Sequence, residues 1–322
     1  MADNHSETLR IAFGQETPGG NFLVVAMADQ RSFFDKGVLA MTEHRSGLSR
    51  RGFLDGLGLF LAVGLPRAVQ QTAKQSAAAA PSLVQDFGSL VDDLVIANHI
   101  LVDQGVNDGF GHLSVRHPVN PDHYLVNRID SNPGLVTPHE IMEFDLDSNA
   151  VDPRGHQGVG ERFIHGEIYK ARPDVKAVVH CHTPALIPFG VTGEKLRPLY
   201  HMSAFIVDEV PIFDIQKDFG ITNMLIHNSA QGHALAQTLG DKPAALMRGH
   251  GAVIVGESVQ QVVPRSVYLV TNAKMQAEAM AMGKEIKYLD PEEARKVNQS
   301  SWTLDFPRDW ELWKHRVMLR CG

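Results

Sequence analysis

The stretch "AVVHCHTPALIPFG", residues 177–190, ends a short apolar run with two histidines separated by one cysteine. Side chains alternate faces along a strand, so residues two apart point the same way. His180 and His182 can therefore present two imidazoles to one point while Cys181 faces away. That is half of a metal site. A third imidazole stands in "LMRGHGAVIVGE", where His250 sits at the turn between two apolar runs, flanked by Gly249 and Gly251. The glycines permit close approach of the backbone. Three neutral imidazoles on a rigid sheet, with one position left for water or substrate, suit a catalytic zinc or a similar divalent ion. A lone histidine in such a setting reads first as a hydrogen-bonded core residue. The H-x-H pair and the glycine-flanked histidine together carry the metal reading.

A carboxylate stands ahead of the H-x-H run. Glu161 opens the helical segment "ERFIHGEIYKARP", and His165 follows four residues later on the same helical face. A glutamate in a first helical turn ordinarily serves the dipole and the free N–H groups. Beside a metal it can instead move protons, with its affinity tuned by the ion and by burial.

The elements that must position these groups are legible as short apolar runs between turn residues. "SLVQDFGSLVDDLVIANHILVDQG", residues 82–105, has helical spacing and closes on Gly105. "HLSVRH", "HYLVNR" and "IMEFDLD" read as strands separated by Gly, Pro, Asn and Asp. The helix after Glu161 ends at Pro173, "KAVVHCH" is the next strand, and the His250 segment is strand, glycine turn, strand. A long helix covers "QQVVPRSVYLVTNAKMQAEAMAMG", with Pro264 kinking or beginning it. "PEEARKV" and "FPRDWELWKHRVM" are also helical. Trp310 and Trp313 in the latter pack against the long helix or, alternatively, wall an aromatic ligand. Strands mixed with flanking helices make one α/β domain. No P-loop, dinucleotide glycine fingerprint or G-x-S-x-G elbow is present.

Composition narrows the function classes. The chain has 322 residues, 43% hydrophobic and 21% charged, enough for one or two domains with a substantial core. Its net charge of -7 argues against a nucleic-acid partner. Two cysteines, Cys181 and Cys321, make neither a disulfide framework nor a cysteine-rich zinc module. No apolar run approaches the ~20 residues of a membrane-spanning helix. Residues 49–80 place Arg50-Arg51 before Phe53-Leu54, a short apolar segment and an alanine-rich tail, the pattern of a twin-arginine export signal. The expected organisation is a mis-called or disordered extension over 1–40, the signal and linker over 41–80, and the folded domain over 81–322. The periplasm is then the expected location, with the cytoplasm as the alternative.

"GERFIHGEIYKARPDVKAVVHCH" followed by "RGHGAVIVGE" resembles the class II aldolase/adducin family over roughly residues 84–285. The resemblance implies a three-layer α/β/α fold with a central, largely antiparallel sheet. It implies a divalent metal, zinc first with manganese or iron as alternatives, on His180, His182 and His250. Glu161 matches the general acid–base residue that also binds the resting metal. Members are typically homotetramers with active sites between subunits.

Departures from the sugar-phosphate members bear on the substrate. Their phosphate is held by a Gly-Asn-x-Ser segment and by two serines just before the glutamate. Here "GHLSVR" puts His112 for the asparagine, and "GVGE" puts Val159 and Gly160 for the serines. A phosphate dianion needs several donors to replace its hydration. Arg128 and His112 remain as cationic groups for a carboxylate, Arg128 through its planar fork or, alternatively, in a surface ion pair. His201 stands where the aldolases carry a proton-donating tyrosine. This layout is similar to the branch that includes 3,4-dihydroxyphthalate decarboxylase. The expected activity is a metal-dependent carbon–carbon lyase acting on a small hydroxylated carboxylic acid. The alternatives are an aldolase on a sugar or sugar phosphate, a nonhaem-iron oxygenase of an aromatic acid, and a non-catalytic adducin-like scaffold.

Overall fold

Strands with every side chain buried need cover on both faces, and the central strands of this chain are of that kind. A computed structural model describes residues 86–207, 210–300 and 306–321. The segments read as an extension (1–40) and an export signal (41–80) lie outside the described residues. The strands are β1 (His112–Arg116), β2 (His123–Asn127), β3 (Ile141–Asp145), β4 (Ala177–Cys181), β5 (Ile212–Phe213), β6 (Ala244–Met247) and β7 (Gly251–Gly256). They form one seven-stranded sheet in the order β3-β2-β1-β4-β7-β6-β5. Every neighbouring pair is antiparallel except β5 with β6. β1, β4, β6 and β7 are buried along their full lengths.

Alternation sorts each strand between two cores. Leu113, Val115, Val179, Cys181, Leu246 and Ile254 face one of them. It is closed by α1 (Phe87–Asp103), α6 (Val259–Ala281) and α8 (Pro307–Cys321). Tyr124, Phe144, Val178, Val253 and Val255 face the other, under α2 (Arg162–Ala171) and α5 (Ser229–Leu239). The result is the expected three-layer α/β/α arrangement around a largely antiparallel sheet. Trp310 and Trp313 of α8 are buried in the first core, Trp313 with its ring 6.1 Å from that of Tyr268 on α6. They are packing residues, and truncating either would cost about 3–5 kcal/mol.

Local chemistry sets the helix ends. Ser258 accepts from the Gln261 N–H and starts α6, so Pro264 lies inside the helix and does not begin it. α5 starts the same way, Asn228 accepting from Gln231 N–H. The remaining helices are α3 (Ile187–Thr192), α4 (Ile215–Phe219) and α7 (Pro291–Asn298). Among the described residues no helix is long and apolar enough to cross a membrane.

Candidate metal centre

β4 is the middle strand of the sheet, and its alternation does what the sequence pattern requires. Cys181 is fully buried in the first core, on the face away from His180. His180 points to the α2 side. There its Nε2 lies 3.0 Å from Nε2 of His182, which in turn is 3.1 Å from Nε2 of His250. Strand pairing brings His250 in: β7 begins at Gly251 and runs antiparallel to β4, with Cys181 opposite Ala252. A side-chain carbon at Gly251 would overlap the Cys181 carbonyl, so only glycine lets the two strands close here. Gly249 adopts φ of 65°, the left-handed conformation that the turn needs.

Glu161 caps α2 by position only. Its carboxylate makes no hydrogen bond to the N–H groups of its own helix. Oε1 instead accepts from the Ile226 N–H at 2.9 Å, which leaves Oε2 facing the imidazoles. Oε2 is 3.4 Å from His180 Nε2, 3.5 Å from His250 Nε2 and 3.9 Å from His182 Nε2. Burial alone would raise this carboxyl's pKa, but His180 and His250 outweigh burial and hold it well below the ordinary range. It is therefore an anion. Burial, followed by His180 and His250, lowers the His182 imidazolium to about 4, so that ring is neutral near pH 7.

These four groups fit a cation. The His180 Nδ1–H donates to the Ala252 carbonyl and the His250 Nδ1–H to the Met224 carbonyl. With a cation bound among them in place of inward protons, each bond would fix the tautomer and leave an Nε2 lone pair turned inward. Lone pairs about 3 Å apart beside a carboxylate repel unless a positive charge lies among them. A tetrahedral zinc about 2.0–2.1 Å from each ligand would space its ligands by ~3.3 Å. Five of the six spacings, 3.0 to 3.9 Å, bracket that value, and all four ligand atoms lie within 4.8 Å of one another.

The other sequence-singled residues divide. His112 stands opposite His180 in the β1–β4 register, with ring centroids 5.0 Å apart. It is buried, and its Nδ1 lies 2.7 Å from Nε2 of His165. Burial first, then His165 and His180, push its imidazolium well below the usual range. The expectation of a cationic His112 is thus corrected: burial makes it a neutral imidazole. Arg128 follows β2 and bridges to Gly158. Its Nε is 2.7 Å from Asp130 and its Nη2 3.5 Å from Glu140, the ion-pair alternative of the sequence reading. His201 begins a 3-10 turn (His201–Ile206), is exposed, and lies outside the four-residue group. Val159 is buried in the α2-side core, and Gly160 has open space around the position of a side-chain carbon.

Three supports had no sequence signal, being backbone groups: the carbonyls of Met224 and Ala252 and the N–H of Ile226. Ser114 and Tyr169, which bond to each other and, through Ser114, to His165, were also missed. Ser114 was discoverable in principle, two residues beyond His112 on the same strand face.

The fold and the centre together define a class. The class II aldolase and adducin N-terminal domain matches residues 92–277, and the chain belongs to that family. It is 35% identical over 241 residues to the decarboxylase tropJ of Talaromyces stipitatus, covering 68% of this chain and 90% of that protein. It is 28% identical over 207 residues to 3,4-dihydroxyphthalate decarboxylase of Rhodococcus jostii, covering 60% of this chain and 82% of that one. Among solved structures, L-fuculose 1-phosphate aldolase from Glaciozyma antarctica shares the fold. Its TM-score is 0.60 and its identity 22%, with 72% of this chain and 89% of that chain covered.

Proposed function

We propose that this chain is a metal-dependent carbon–carbon lyase that decarboxylates a small hydroxylated carboxylic acid. The observation that carries the reading is the set of three tautomer-directed or neutral imidazoles converging on an ionised Glu161. Similarity to two decarboxylases supports the reaction class. When bound, a divalent ion, zinc first, supplies a Lewis acid for negative charge on adjacent substrate oxygens. His180, His182, His250 and Glu161 would hold it.

The chain's own residues then have defined tasks. Glu161, steadied by the Ile226 N–H, accepts the proton of a substrate hydroxyl. The carbon–carbon bond to the carboxylate breaks, CO2 leaves, and the electron pair stays with the carbon–oxygen framework. Glu161 returns the same proton to that carbon, so the carboxylate is regenerated and the product keeps the negative charge. His112 and Arg128 orient the substrate carboxylate, for which Arg128 would exchange its partners Asp130 and Glu140. His201 is exposed on the protomer, so a role as proton donor belongs to a homotetramer with sites between subunits. Phosphate is disfavoured because Val159 is turned into the core and Gly160 has no donor side chain.

Metal analysis of the purified protein, with CO2 and aldehyde release measured over hydroxylated acids and sugar phosphates, tests the proposal. The expected result is one zinc per chain and CO2 from a hydroxylated acid. Aldehyde from a sugar phosphate would make it an aldolase; ferrous iron with oxygen consumption would make it an oxygenase. Loss of stability on chelation, with no turnover on any substrate, would make the metal structural. Light scattering addresses the tetramer. Export is a separate proposal, tested by Arg50→Lys with Arg51→Lys: the variant should stay in the cytoplasm while the parent is exported.

A further inference from the structure

Behind the metal centre a line of buried polar groups crosses from β1 to α2. His112 Nδ1 is 2.7 Å from His165 Nε2, and His165 Nδ1 is 2.6 Å from Ser114 Oγ. Ser114 Oγ is 2.8 Å from the Tyr169 hydroxyl, whose other neighbour is the Lys176 carbonyl at 3.5 Å. His165 and Ser114 are fully buried and Tyr169 is 1% exposed, so no bulk water competes along the line. His112 and Ser114 alternate with Leu113 on β1, and His165 and Tyr169 are one helical turn apart on α2. The two faces meet group by group.

Such a line can be polarised in only two ways, because each hydroxyl and each neutral imidazole has one proton to give. If Tyr169 donates to Ser114, then Ser114 donates to His165 Nδ1, and His165 Nε2–H donates to His112 Nδ1. In the reverse sense His112 donates first and the Tyr169 proton is left over. Its only remaining acceptor is the Lys176 carbonyl, at a distance long for O–H···O, which runs about 2.5–3.0 Å. That carbonyl already accepts the Arg116 N–H at 2.8 Å. A buried hydroxyl proton without a good acceptor is costly. The forward sense pairs every donor inside the line and leaves over only the Nε2–H of His112, at the end of the line that is not fully buried.

We infer that Tyr169, Ser114 and His165 are positioning residues that hold His112 in its Nε2–H tautomer, presenting a neutral hydrogen-bond donor to an oxygen of the substrate. The donor edge is unpaired: Nε2 of His112 makes no hydrogen bond among the described residues, and the residue keeps 6% exposure. His112 is also level with His180 in the strand register. The specificity that follows is for a ligand with an acceptor oxygen beside its metal-chelating oxygens, as a carboxylate or carbonyl provides, and against an amino group there. The inference rests on the lyase reading for the identity of the ligand, but the tautomer itself does not.

Nitrogen-15 NMR of the zinc-loaded full chain, labelled at histidine, tests it without turnover. His112 is assigned by difference with His112→Asn. In the parent, Nε2 of His112 should carry the proton and Nδ1 should not. Ser114→Asp, whose carboxylate can only accept, should draw the proton to His165 Nδ1 and reverse the line, moving the proton of His112 to Nδ1. Tyr169→Phe leaves the Ser114 donation in place and should keep the parent tautomer. A parent His112 protonated at Nδ1, or a Ser114→Asp spectrum identical to the parent's at His112, overturns the inference. The parent measurement decides even if Ser114→Asp fails to fold. Failure of the lyase reading would show differently, as absent CO2 release with the tautomers as described.

Discussion

Acidification is expected to destabilise the metal-free protein through His165 in particular. Burial, then the neighbouring His180, takes this imidazole from its ordinary value of 6.5 to about 3, with Glu161 pulling the other way. In the unfolded chain the ring titrates near 6.5. Between those values the unfolded chain holds a proton that the folded chain does not. Stability is therefore complete above about pH 6.5 and falls as the pH drops toward 3. From 6.5 to about 4.5 the loss is two units at ~1.36 kcal/mol each, or about 2.7 kcal/mol from this one residue. The comparison that isolates it is His165→Asn, which keeps a polar side chain but cannot titrate. The variant should be less stable at neutral pH by about 1–3 kcal/mol, since its neighbours lose a partner. Its stability should then fall about 2.7 kcal/mol less than the parent's on the way to about pH 4.5. Urea unfolding of metal-stripped protein at stepped pH measures both quantities, because bound metal would add its own proton competition. Parallel curves for parent and variant would refute the argument, and with it the neutral, dry character assigned to the line behind the metal.

Three further outcomes test the site from other sides. Gly251→Ala should destabilise the fold by about 1–3 kcal/mol and lower zinc content, because β4 and β7 must separate; a normal melting curve with full zinc would count against the close strand approach. Glu161→Gln should weaken zinc binding by about 10–100-fold and abolish turnover, as read by chelator competition and CO2 release; full activity would remove Glu161 from the mechanism. Arg128→Ala should leave zinc content unchanged and raise the KM for the hydroxylated acid, by roughly 1.5–3 kcal/mol per charge-assisted bond lost. An unaltered KM would confine Arg128 to its pairs with Asp130 and Glu140.

What could be read from sequence was whatever depends on local period. The H-x-H pair, the glycines around His250, and Glu161 at the head of its helix were legible because each is a short-range pattern on a strand, turn or helix end. α5 was not, since "SAQGHALAQTL" has few large apolar residues and an internal glycine. That glycine is the reason it works: Gly232 lies against the Phe163 carbonyl, letting α5 pack closely on α2. β5 is two residues long and pairs in parallel, too short to give any period. The charge of His112 was misread because a sequence shows that a residue can be cationic but not that three layers of structure bury it. Arg128 went the other way: its acidic partners Asp130 and Glu140 are near in sequence, but which of them it would touch depends on how the chain turns after β2.

The loop between α4 and α5 has a consequence for how the centre fails. Met224, at φ of 69°, turns its carbonyl to His250, and two residues later the Ile226 N–H holds Glu161. One tripeptide, with its first residue in the left-handed region, thus steadies His250 and Glu161 at once. Relaxation of Met224 to ordinary dihedrals would free both together. Under the proposed function, ion escape and loss of proton transfer would then be a single kinetic event, paced by the opening of that loop.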